Sequence, residues 1–157
     1  CLLVLVPASS ADTSFLRALV DKPSTTFGDA VYMLVRFLGN GQAYPDFAAG
    51  KSFLEGKSVL AGSLRQKSEQ DSLRRGELAE MAVTALEVRG GVAMRMAYAM
   101  GREGRLAQGV FRRYALKEMV FLQLMVNGDR HADVAGQELI SVISRMENYQ
   151  EEQGMIS

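Results

Sequence analysis

Gly28-Asp29-Ala30-Val31-Tyr32-Met33-Leu34-Val35-Arg36-Phe37-Leu38 recurs without gaps, 48 residues later, as Gly76-Glu77-Leu78-Ala79-Glu80-Met81-Ala82-Val83-Thr84-Ala85-Leu86. Gly, Met, Val and Leu keep their places, and the residue after Gly stays acidic. In the first copy Val31, Leu34, Val35 and Leu38 fall at i, i+3, i+4 and i+7, the spacing of one helix face. Leu78, Met81, Ala82, Ala85 and Leu86 repeat it. A weaker third copy begins at Gln137-Glu138-Leu139-Ile140-Ser141-Val142-Ile143 and continues to Met146. Repeated amphipathic helices at long spacing predict an all-α chain, a bundle of short helices built from helix-turn-helix units.

The residues around these helices predict their ends. Thr26 can cap the first, with Asp29 three residues on to complete a capping box. Gly39-Asn40-Gly41 can stop it, and Gly90-Gly91 can stop the second. Two of the three copies share a longer lead-in. Lys57-Ser58-Val59-Leu60-Ala61-Gly62, a polar loop and Leu73-Arg74-Arg75-Gly76-Glu77-Leu78 form one unit. Leu124-Met125-Val126-Asn127-Gly128, a shorter loop and Val134-Ala135-Gly136-Gln137-Glu138-Leu139 form another. In each, an apolar pair anchors the turn, Gly takes the bend, and Glu favours the positive end of the next helix.

Other helical stretches are expected at Phe15 to Val20, Gly50 to Leu60 and Arg112 to Val126. Val92 to Met100 is apolar nearly all round except Arg95, so a central, buried helix is expected there. Lys67 to Arg75 and Gly101 to Gly109 read as loops. Repeat units are expected near 12–43, 44–90 and 100–149, within a single helical domain at 12–150, before a polar tail at 151–157.

This pattern resembles S-layer homology (SLH) repeats. Tyr44-Pro45-Asp46-Phe47 is similar to their aromatic-x-Asp-Val start. Lys57 to Gly62 is similar to their glycine turn, and Arg74-Arg75-Gly76-Glu77-Leu78-Ala79-Glu80-Met81 to their Thr-Arg-x-Glu-Phe-Ala-x-Met opening. Arg74 stands where Thr is usual. Phe53 and Phe111 stand in for the Trp of the first helix, since the chain has none. The resemblance covers 44–88 well, 111–149 partly, and 24–39 as a second helix alone. It implies a non-enzymatic cell-envelope role and a glycan-binding groove between repeats, with the ligand-binding role on Arg75 only; Arg74, beside it, is a second ligand-binding candidate. Phe27 and Gly136 occupy the matching positions of the other copies, so a groove using several such arginines is in doubt. The plainer reading makes Arg74 and Arg75 solvated residues of a first helical turn, and Glu77 a helix-start residue.

Composition bounds the rest. The 157 residues carry 18 Lys+Arg and 18 Asp+Glu, one Cys and one His. A balanced chain argues against nucleic acid as a partner. One Cys excludes an internal disulfide framework, and one His excludes sites needing two or three imidazoles. Neither a cofactor nor a metal is expected. Cys1 to Ala11 is uncharged, with an apolar run before Ser9-Ser10-Ala11, which reads as the end of a secretory signal peptide cut after Ala11. A lipidated Cys1 and a buried N-terminal strand are the alternatives. The run is too short for a membrane span as it stands. The expected setting is therefore the periplasm, envelope or exterior, with a cell-wall glycan or an envelope protein as partner, or a purely structural role.

Other motifs carry less. Gly50-Lys51-Ser52 and Gly56-Lys57-Ser58 lack the first Gly and the preceding strand of a phosphate loop. Asp129-Arg130-His131-Ala132-Asp133 reads as a solvated turn, since calcium-loop spacing and a second His are missing. No Gly-x-Ser-x-Gly elbow occurs, so no catalytic residue is assigned. Met94, Met96, Met100, Met119 and Met125 read as core filling, with an adaptable partner surface as the alternative. Arg102, Arg105, Arg112 and Arg113 form a local basic patch, either a solvated face or a contact for an anionic envelope polymer.

Overall fold

The computed structural model describes residues 10–39 and 46–154. Among these the chain is all-helical: α1 (Ser10–Val20), α2 (Phe27–Leu38), α3 (Phe47–Gly56), a 3-10 turn (Gly62–Gln66), α4 (Arg75–Ala85), α5 (Val92–Met100), α6 (Arg105–Phe121) and α7 (Gly136–Glu152). No strand forms among the described residues; two isolated bridges, Thr26 to Ser72 and Arg74 to Asp133, are the only β-type pairings there. No described helix is long and apolar enough to cross a membrane.

The repeated helices form as their spacing predicts. Thr26 caps α2, its hydroxyl accepting from Asp29 N–H while the Asp29 carboxylate accepts from Thr26 N–H. Val31, Leu34 and Val35 are buried, as are Leu78, Met81, Ala82 and Ala85 on α4 and Leu139, Val142, Ile143 and Met146 on α7. The three helices meet through the segments that precede them. Thr25 N–H donates to the Val134 carbonyl (2.8 Å), Val134 N–H to Leu73 (3.1 Å), and Leu73 N–H to Thr25 (3.1 Å). This closed ring of three buried residues makes the openings of α2, α4 and α7 equivalent. An outer tier repeats the cycle: Phe27, Arg75 and Gly136, each the first residue of its helix, donate to Asp71, Ala132 and Lys22. A Cβ at Gly136 would collide with the Leu19 carbonyl oxygen, so only glycine lets α7 close on the end of α1.

Several expected boundaries move. The α3 helix ends at Gly56 and does not reach Leu60, because Ser58 turns left-handed (φ 59°) and sends Val59 and Leu60 into the core. Gly62 then makes the expected bend at φ 54°. In the matching turn the left-handed residue is Gln123, and not Gly128, so α6 stops at Phe121. The α4 helix stops at Ala85 rather than at Gly90, because Glu87 takes the left-handed turn. The α6 helix begins at Arg105, inside a stretch expected to be loop, and α1 begins at Ser10, before Phe15. The expected signal peptide lies mostly outside the described residues, and its cleavage point falls in the first turn of α1. Tyr44 and Pro45 also lie outside them, whereas Asp46 caps α3 by accepting from Ala49 N–H (2.8 Å).

Val92 to Met100 does not form the central, buried helix expected of it. This helix is peripheral. Only Met94 and Ala97 are buried, against α6, while Val92, Met96 and Met100 are 76%, 62% and 56% exposed. An all-round apolar helix has no intrinsic inner face, and the nine residues lie on the bundle, not within it.

Candidate functional site

A groove of about 720 Å³ opens where α4 begins, walled by the 3-10 turn, the first half of α6 and the loop before α7. Five arginines line it: Arg65, Arg74, Arg105, Arg112 and Arg130. Only Glu77 and Glu103 supply opposite charge, and His131 is also in the lining. Arg65 pairs with Glu103 at 3.4 Å, both exposed. Arg74 and Arg105 are exposed and make no ion pair among the described residues. Arg130 is held by its Nη1 donating to the Gly109 carbonyl (3.3 Å) and its Nε donating to His131 Nε2 (3.1 Å).

The floor is a buried polar network. Glu80, 0% exposed on α4, accepts from Gln108 Nε2 at 2.9 Å. Gln108 also donates to the Ala61 carbonyl, and its Oε1 accepts from the Ser63 N–H and hydroxyl. Arg112 donates to Ser63 Oγ (3.0 Å) and lies 3.7 Å from Glu80 and 3.9 Å from Glu77. Burial pushes the Glu80 carboxyl above its ordinary range, opposed chiefly by the Arg112 and Arg102 charges. Charged groups without ideal partners are costly when buried. The Nε groups of Arg102 and Arg112 are buried without a hydrogen-bond partner beside the one carboxylate they share.

The two candidate arginines separate. Arg74, the N-cap, lies in the groove. Arg75, one residue later, turns inward and is 7% exposed. Its Nε donates to Glu138 Oε1 (2.6 Å), and its Nη2 donates to the Val126 carbonyl. The threefold relation explains this. The third residue of each repeated helix is acidic: Asp29, Glu77 and Glu138. Asp29 receives Lys22 (2.8 Å) and Glu77 receives Lys67 (2.6 Å), each from the loop before the same helix, while Glu138 receives Arg75 across a joint; Glu77 also has Arg112 at 3.9 Å. Lys67 reaches Glu77 with its ammonium 5.8 Å from the centre of the Phe27 ring, so a lysine from the loop supplies the charge where Phe27 stands in place of arginine. Lys22 does so where the position is Gly136. Of the three pairs, Arg75 with Glu138 is the one that links two units.

The same relation shows why this groove is cationic. Gly76 N–H donates to the Arg130 carbonyl, and its counterpart Gly28 N–H donates to that of Glu69. Glu69 therefore stands at the first joint where Arg130 stands at the second. Of the basic patch read from the sequence, Arg105 and Arg112 line the groove. Arg102 instead donates to the Ser58 and Val59 carbonyls (2.9 and 2.6 Å) and lies over the Phe111 ring. Arg113 faces a separate shallow cleft with Lys117. Arg130 and the Glu80–Gln108 pair were not legible as site residues. They lie on three chain segments with no motif spacing, and the polarity of Glu80 within an apolar repeat was the only available signal.

Charge-assisted hydrogen bonds from several guanidinium groups suit carboxylate, phosphate or acidic-sugar ligands. No three or more His, Cys, Asp or Glu side chains among the described residues gather to hold a metal. Comparison with family models, curated proteins and solved structures returned no match.

Proposed function

We propose that the chain is a non-enzymatic binding module of an exported cell-envelope protein, built of SLH-like repeats, that grips an anionic wall polymer in the groove at the start of α4. The observation that carries this reading is the excess of arginine there, with Arg74 and Arg105 left without carboxylate partners. The closed ring through Thr25, Leu73 and Val134 supports the repeat reading, since equivalent units should meet around an axis. The resemblance places the ligand-binding arginine at Arg75; the groove favours Arg74 together with Arg105, Arg112 and Arg130.

Sedimentation with purified cell-wall material tests the reading. The folded protein is expected to be retained at physiological salt, and the double variant Arg74→Ala/Arg105→Ala to be largely released. Absence of retention by folded protein removes the polymer and leaves a structural or protein-interaction module. Turnover of any substrate that is lost on His131→Ala would replace the non-enzymatic reading altogether.

A further inference from the structure

We propose that the outer face of α5 and the cleft beside it dock an acidic amphipathic helix of another protein. This surface is separate from the arginine groove and does not depend on its reading. Two observations meet there. Val92, Met96 and Met100, at i, i+4 and i+8, form one apolar stripe more than half exposed. On one flank of α5 beside this stripe, walled by Arg95 and Tyr98 of the same helix, lies a cleft of about 780 Å³ whose lining also includes the cations Lys57, Arg89 and Arg102, with Glu87 as the one acidic lining residue. Arg102 is committed to backbone carbonyls. Lys57, Arg89 and Arg95 are exposed and make no ion pair among the described residues. The Tyr98 hydroxyl donates to the Val88 carbonyl (3.0 Å), fixing the cleft wall.

An apolar row flanked on one side by unpaired cations is complementary to a helix with an apolar face and an acidic flank. The chemistry selects this occupant over the alternatives. A second α5 would bring like charges together. A flat anionic membrane could not fill a concave cleft, and interfacial helices favour Trp, Phe and Leu, whereas methionine gives an adaptable protein-binding surface. A helix of nine residues spans roughly 13 Å, so the contact is small and its affinity modest.

The test uses fluorescence anisotropy with a labelled synthetic helix of about 20 residues, Leu on one face and Glu on its flanks. A scrambled peptide of the same composition is the control. Expected are saturable binding, little response to the scrambled peptide, and weakening of about tenfold or more by Met96→Glu and by Arg89→Glu/Arg95→Glu. These side chains are exposed, so the variants should retain the wild-type circular dichroism. Equal binding of the scrambled peptide, no binding by folded protein, or unchanged affinity in both variants overturns the proposal. So does stronger partition onto phosphatidylglycerol vesicles, or self-association through Met96 in light scattering.

Discussion

Arg74 and Arg75 are chemically identical neighbours with opposite fates. Arg74 is extended as the N-cap and its side chain stays in water; Arg75 begins the helix and crosses the joint to Glu138. Removing Arg75 leaves the Val126 carbonyl and a partly buried carboxylate without their donor. Arg75→Ala should therefore cost about 2–3 kcal/mol in urea denaturation, reduced from a fully buried pair because Glu138 is 28% exposed. Arg74→Ala should change stability by less than about 0.5 kcal/mol while weakening polymer retention. Glu80 carries a pH signature. Its proton is held more tightly in the folded state, so its contribution to stability is greatest below the ordinary glutamate range and is lost as pH rises through the raised folded value. Glu80→Gln should remove that component, seen as a smaller fall in unfolding free energy between mildly acidic and neutral pH than in the wild type.

At the scale of elements, three helices end on left-handed residues that are not glycine: Ser58 after α3, Glu87 after α4 and Gln123 after α6. Ser58 and Gln123 accept a backbone cost that redirects an apolar pair into the core, and Glu87 one that redirects Val88 alone. Val59 and Leu60 follow the first, and Leu124 and Met125 the third; all four are buried. Gln123→Gly should raise stability by about 1 kcal/mol, measured by thermal unfolding, since glycine relieves the strain at an exposed site. At the other end of the repeated helices, Thr26→Ala should lower stability by about 1 kcal/mol by removing the cap of α2. The cap of α2 and the apolar faces of α2, α4 and α7 were legible because local spacing determines them. The ends of α3, α4 and α6 were not. A left-handed serine, glutamate or glutamine leaves no trace in the sequence and is selected by the core that receives the apolar side chains after it.

Across the whole molecule, the zero net charge conceals a segregation. Residues 92–118 hold Arg95, Arg102, Arg105, Arg112, Arg113 and Lys117 against Glu103 and Glu118. Residues 129–152 hold six acids against Arg130 and Arg145. Polymer retention should accordingly fall steeply between low and high salt despite the neutral pI, because the interacting field is local and screened. The ring through Thr25, Leu73 and Val134 ties all three units to one core. Far-ultraviolet circular dichroism and tyrosine fluorescence should therefore report one coincident unfolding transition. Two separated transitions would show that the units fold independently.

By itself, the sequence determined the helical class, the repeated unit and the capping of its first helix, because helix periodicity and caps act over a few residues. It also exposed the apolar pairs that anchor the turns. Only the tertiary structure decided which arginine faces water, which cation serves each acidic helix start, and which side of α5 is buried. Those choices depend on partners distant in the chain, such as Glu138 for Arg75 and Gln108 for Glu80. Burial makes these partnerships strong, and burial is a property of the assembled bundle and not of any segment within it.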